Sequence, residues 1–165
     1  MSIKIKQAQE TDIPVIEDIL SDTINWLNEM GQPIWSKETT TWNALSKYYR
    51  IDDFFIAYLN DKPAGCVVII DFDPFFFPDI PKGKSLFIHK LAVKKFARKS
   101  GVSDTLLDYI KDRGIACGVQ SIQLETHALR PKLRAFYERH GFEFQGIRKF
   151  DSGIQSAYYK FALKE

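Results

Sequence analysis

Cysteine is scarce in this chain: Cys66 and Cys117 are the only two among 165 residues. That number excludes a disulfide framework. Both sit in apolar surroundings and read as reduced, packed thiols of a cytoplasmic protein. Long hydrophobic runs are missing too. The longest aliphatic stretch, residues 66–70, is far too short to cross a bilayer, so no membrane partner is expected. The start, Met1-Ser2-Ile3-Lys4-Ile5-Lys6, alternates polar with apolar and has no signal-peptide pattern. Nor is there an excess of one charge. Lys and Arg number 23 against 21 Asp and Glu, a net charge of +2, so no global field points to nucleic acid. The three histidines, His89, His127 and His140, lack metal-ligand spacing, and no metal is expected. Repeats, low-complexity tracts and linkers are absent, which suits one domain over residues 1–165.

Aromatics are abundant: 13 Phe, 7 Tyr and 3 Trp. Ile3 and Ile5 alternate with lysines as a first strand. Thr11 or Asp12 caps a helix whose apolar stripe is Ile13, Ile16, Leu20, Ile24 and Leu27, ended by Gly31 and Pro33. A second helix is expected over about 40–49. Residues 54–59 and 64–72 read as two strands joined by a tight turn at Asn60-Asp61-Lys62. Residues 73–83 form a loop rich in proline, with Phe75-Phe76-Phe77 at its centre. A loop this apolar covers a ligand, packs on a second subunit, or seals one end of the core.

Residues 86–103, LFIHKLAVKKFARKSGVS, begin as a buried strand and end at the mouth of a helix. Lys94, Lys95, Arg98 and Lys99 concentrate positive charge between the two. The first amides of a helix lack internal partners, and its dipole favours an anion there, so the stretch Arg98-Lys99-Ser100-Gly101 makes a phosphate cradle. Gly114 is a weak point within that helix, and Gly118 caps its end. A strand at 121–125, a short helix opened by Pro131 and stopped by Gly141, and strands at 142–147 and 157–163 complete the chain. The order is β-α-α-β-β-β-α-β-α-β-β: an α/β (α+β) fold with a mixed sheet of about seven strands and about four flanking helices.

Leu91-Ala92-Val93 followed by Arg98-x-x-Gly101-x-Ser103 resembles the acyl-CoA-binding motif of the GNAT superfamily of N-acetyltransferases. The one departure is Ser103, where the family prefers Gly or Ala. The late segment Leu133-Arg134-Ala135-Phe136-Tyr137-Glu138-Arg139-His140-Gly141-Phe142 is similar to a second family signature, and the element order is the GNAT order over nearly the whole chain. The resemblance implies transfer of an acetyl group from acetyl-CoA directly to a primary amine. It implies that Leu91, Ala92 and Val93 bind the pantetheine arm through strand backbone, and that residues Arg98, Lys99, Ser100, Gly101, Val102 and Ser103 bind the pyrophosphate. Arg130 stands where the family often has an Asn that contacts pantetheine. Tyr137 is implied as the general acid that meets the leaving thiolate.

The base is left open between His89, which titrates in the useful range, and Glu125, at the end of the fifth strand. Asp71 and Asp73 shape the loop they precede. By analogy with the family, the acceptor binds among Trp26, Trp35, Phe75 and Phe76. A small amine or amino-acid-like acceptor is expected; a protein amine is the alternative within this activity. A non-catalytic acyl-CoA-binding or sensing module is the alternative outside it. A monomer or homodimer suits either. A P-loop reading fails because no Gly-Lys-Ser/Thr follows the glycine.

Overall fold

The computed structural model describes residues 1–163. Its strands lie in one seven-stranded sheet of order β1-β2-β3-β4-β5-β7-β6, numbered along the chain as β1 Ile3–Gln7, β2 Phe54–Leu59, β3 Lys62–Ile70, β4 Ser85–Val93, β5 Ser121–His127, β6 Glu143–Lys149 and β7 Gln155–Ala162. The helices are α1 Ile13–Glu29, α2 Trp42–Leu45, α3 Val102–Cys117 and α4 Pro131–Arg139. The α/β element order expected from the sequence is therefore present. By their internal contacts the residues form two compact units, Met1–Ile69 with His89–Tyr109, and Ile70–Ile88 with Ile110–Glu165.

In the first unit, β1 pairs antiparallel with β2 from Ile3↔Leu59 to Gln7↔Phe55. The β2–β3 hairpin turns on Asn60 and Asp61, both at positive φ (49° and 68°), the backbone that a two-residue turn requires and that Asn and Asp tolerate. Ile16, Ile19, Leu20, Thr23 and Ile24 bury one face of α1, as its 3.6-residue stripe dictates. Asp12 directs its carboxylate to the Gln9 amide (2.8 Å), capping a 3-10 turn that leads into α1. The second helix is shorter than the 40–49 expected. It is one turn, capped by Thr41, whose hydroxyl accepts the Ala44 amide at 3.3 Å. The residues that follow, Ser46-Lys47-Tyr48-Tyr49, include three weak helix formers, and the chain continues as turns.

In the second unit, β4 pairs parallel with β5 over Ser85–Phe87 and Ser121–Gln123. Antiparallel ladders then join β5 to β7 and β7 to β6. Phe77 answers the question posed by the Phe-rich loop in part. It is buried against Phe87 (ring centroids 4.6 Å), so it closes core, whereas Phe75 stays 63% exposed. Gly114 is interior to α3 for a packing reason: a Cβ there would stand 2.6 Å from Cδ1 of Leu163. One sequence expectation is corrected: Cys117 is exposed, because the last turn of α3 turns its side chains outward, while Cys66 is buried in β3.

Candidate active site

The basic loop after β4 belongs to the first unit, and α1 holds it. Asp18, Asp22 and Trp26 recur every four residues, so they share one side of the helix. Asp18 pairs with the Lys94 ammonium at 2.6 Å, and Asp22 accepts the Lys95 amide at 2.8 Å. Trp26 lies under the Arg98 guanidinium, 3.6 Å from ring centroid to Cζ. Thr23 adds a hydrogen bond to the Val93 carbonyl at 3.4 Å. Burial pushes the Arg98 guanidinium below its ordinary range, and the Asp22 carboxylate opposes that shift. Arg98 is thus a half-buried, stacked side chain, not a solvated one.

Beyond Arg98 the backbone is bent by two left-handed residues, Lys99 at φ 60° and Gly101 at φ 90°. Such alternation turns successive amides to one side and forms an anion-binding concavity. Among the described residues, no backbone carbonyl accepts the amides of Lys99, Gly101, Val102 or Ser103. The first closed bond of the helix is from the Thr105 amide to the Gly101 carbonyl, at 2.9 Å. The four amides, the N-terminal end of α3 and the exposed Lys99 ammonium could hold phosphate oxygens.

Leu91, Ala92 and Val93 end β4. Just before them Lys90 has φ 53°, a left-handed kink inside a strand, and its ammonium lies 5.0 Å from the Trp35 ring. The same unit holds His89, buried with its ring against Tyr49 at 5.8 Å.

The second unit carries the other candidates. Tyr137 on α4 is 6% exposed, packed edge-on to Phe136 and Phe142. Burial drives its phenol well above the ordinary tyrosine range, and the Glu125 carboxylate adds to the rise. Glu125 itself accepts the Ser156 hydroxyl at 2.8 Å. Arg130 is the N-cap of α4; its carbonyl accepts the Arg134 amide at 3.0 Å. Phe75 and Phe76 meet at 4.7 Å, and Phe75 stacks on Phe150 at 5.7 Å. The fold therefore gathers Trp26 with the basic loop, Trp35 with Lys90, and Glu125 with Tyr137.

The sequence reading missed several neighbours of these residues: Asp18, Asp22 and Thr23 on α1, and Tyr158, Arg148 and Phe150 around Glu125 and the Phe-rich loop. The four-residue spacing of Asp18, Asp22 and Trp26 was a readable signal. For the second set there was none.

Residues 20–142 match the Acetyltransferase (GNAT) family. The chain belongs to that family. No curated protein matches it significantly. Among solved structures, a GNAT-family acetyltransferase from Listeria monocytogenes superposes with a TM-score of 0.79 at 23% identity, covering 98% of this chain and 95% of the other. The ribosomal-protein-S18-alanine N-acetyltransferase of Escherichia coli gives 0.72 at 19%, covering 99% and 96%. The N-acetylglutamate synthase of Neisseria gonorrhoeae, complexed with coenzyme A and N-acetyl-glutamate, gives 0.70 at 20%, covering all of this chain and 36% of the other.

As a GNAT acetyltransferase the protein uses acetyl-CoA, which supplies the acetyl group as a thioester. The loop fits that group: free amides, a left-handed bend and basic side chains suit a diphosphate. Among the described residues no helix is long and apolar enough to cross a membrane, and no cluster of His, Cys, Asp or Glu suits a metal ion.

Proposed function

We propose that this GNAT member acetylates the primary amine of a small acceptor by direct transfer within the cytoplasm, with Tyr137 as general acid. The observation that carries the reading is the buried Tyr137 phenol beside Glu125. Burial and the neighbouring carboxylate both keep it protonated at neutral pH, so it holds a proton for a thiolate as charge develops there. Residues Lys99 and Gly101–Ser103 bind the pyrophosphate through their amides, and Lys99 adds a flexible charge. Arg98, anchored on Trp26, orients the loop and contributes field. Leu91, Ala92 and Val93 offer strand backbone to the pantetheine arm.

Glu125 is the better candidate than His89 for receiving the amine proton. It is half-buried, acts on Tyr137, and has an oxygen beyond the one bound to Ser156. His89 is packed on Tyr49. Phe75 and Phe76 present aromatic surface for the acceptor, and Trp35 braces the kink at Lys90. Arg130 starts the helix that carries Tyr137.

The test is Tyr137→Phe, assayed for thiol release with an amine panel and for coenzyme A binding by calorimetry. Turnover should fall roughly 10²-fold while coenzyme A affinity is retained. Wild-type turnover in the variant would remove Tyr137 from the chemistry. Tight coenzyme A binding with no turnover by the wild type on any amine would favour a binding module instead.

A further inference from the structure

Three side chains of the second unit that the chemistry above does not use tie the helix of Tyr137 to the sheet. Tyr159 lies midway along β7, opposite Leu124 on β5 and Phe144 on β6, and it is fully buried. A buried hydroxyl needs hydrogen-bond partners, and this one takes both from α4. The Arg134 Nε–H donates to it at 2.9 Å, and it donates to Oε2 of Glu138 at 2.6 Å. Burial raises the Tyr159 phenol, the Arg134 guanidinium draws it back, and the Glu138 carboxylate raises it again, so the proton stays on the bond to Glu138. Arg134 and Glu138 are four residues apart and so lie one above the other on one side of the helix. One phenol thus grips two successive turns of a nine-residue helix.

Arg134 is itself fixed at further points. Its Nη1 donates to the Ala128 carbonyl at 3.3 Å, and its guanidinium lies 4.8 Å from the Phe144 ring. A helix held this way cannot turn about its axis without breaking a charge-assisted hydrogen bond. Tyr137 falls between the two gripping residues. Its ring lies 6.4 Å from that of Tyr159. Among the described residues no hydrogen bond holds the Tyr137 hydroxyl. Where that hydroxyl points is therefore set by ring packing and by the angle of α4. A side-chain tip stands about 5 Å from a helix axis, so a turn of about 10° moves it by roughly 1 Å. A misplacement of about 1 Å at a reacting group can cost about 10²-fold in rate.

We propose that Tyr159, with Arg134 and Glu138, is a positioning group for the transfer: by fixing the angle of α4 it aims the Tyr137 hydroxyl at the leaving sulfur. This rests on the reading of Tyr137 as general acid given above and adds what holds that acid in place. Tyr159 acts only through Tyr137, so its contribution should vanish when the Tyr137 hydroxyl is removed.

The experiment is a double-mutant cycle read by thiol release, with acetyl-CoA and the best amine of the panel. Tyr159→Phe keeps the ring and removes both bonds. It should lower kcat at least about tenfold while KM for both substrates holds. Made on top of Tyr137→Phe, the same change should cost nothing further. Glu138→Ala should act as Tyr159→Phe does, and Glu138→Gln, which keeps an accepting oxygen, should keep most of the rate; this pair carries the test if Tyr159→Phe does not fold. Wild-type kcat in Tyr159→Phe overturns the proposal. So does an equal loss with and without the Tyr137 hydroxyl, which marks a role in the fold alone. Wild-type turnover in Tyr137→Phe removes the general acid, and the positioning role falls with it. Should the wild type acetylate nothing, labelled-tyrosine NMR reads the same device. The Tyr137 resonance, assigned by its loss in Tyr137→Phe, should shift when coenzyme A binds, and Tyr159→Phe should shrink that shift. An equal shift in both proteins overturns the positioning role; no shift in the wild type overturns the acid reading and the positioning role together.

Discussion

Gly65 is the position where one methyl group should reach the cofactor loop. It lies on β3, and a Cβ there would stand 2.8 Å from the Ala92 carbonyl oxygen and 3.1 Å from Cγ1 of Val102. Ordinary contact begins near 3.4 Å, so the backbone oxygen is roughly 0.6 Å too close. It has little freedom to retreat, because the Lys94 amide is bonded to the Ala64 carbonyl at 2.7 Å and ties the end of β4 to β3. Ala92 precedes the phosphate loop and Val102 opens α3 after it, so Gly65→Ala pushes on both ends of the cradle. Overpacking of this kind costs about 1–3 kcal/mol. In a chain of this length that lowers the thermal midpoint by roughly 2–12 °C. Displacing the amides should also weaken coenzyme A binding by about tenfold. Thermal unfolding by circular dichroism and calorimetric titration with coenzyme A read the two effects separately. An unchanged midpoint would refute the packing argument. A lowered midpoint with unchanged affinity would refute the link between β3 and the loop.

The two thiols should differ sharply. Burial pushes Cys66 up to about 12, whereas Cys117 is exposed, so a disulfide reagent at pH 8 should titrate one fast thiol in the native protein and two after denaturation. Stability should fall in alkali. The folded chain keeps protons on Cys66, Tyr137, Tyr158 and Tyr159 that the unfolded chain releases. The contribution is complete below about pH 9 and is lost as pH rises towards 12, with Cys66 alone worth up to about 4 kcal/mol. Urea midpoints at pH 8 and pH 10 should therefore diverge less in Cys66→Ala than in the wild type; equal divergence would deny the thiol its share.

Element order, the hairpin at Asn60-Asp61, the α1 stripe and the basic loop with its glycine were all determined by the sequence itself. Each is written within a window of a few residues: an alternation of two, a spacing of three to four, or a turn that needs positive φ. The family could be read for the same reason, since both of its signatures are local. Tertiary structure alone decided the rest. Trp26 was expected at the acceptor and is found beneath Arg98, because the pitch of α1 carries it there with Asp18 and Asp22. The length of α2 was decided by a threonine cap and by weak helix formers after it, against the apolar spacing that suggested more. Tyr158, Arg148 and Glu125 come together only through strand register. A shift of one residue in either ladder would send these side chains to opposite faces. Nothing local in the sequence specifies that register; burial of Ala157 and Tyr159 between neighbouring strands does.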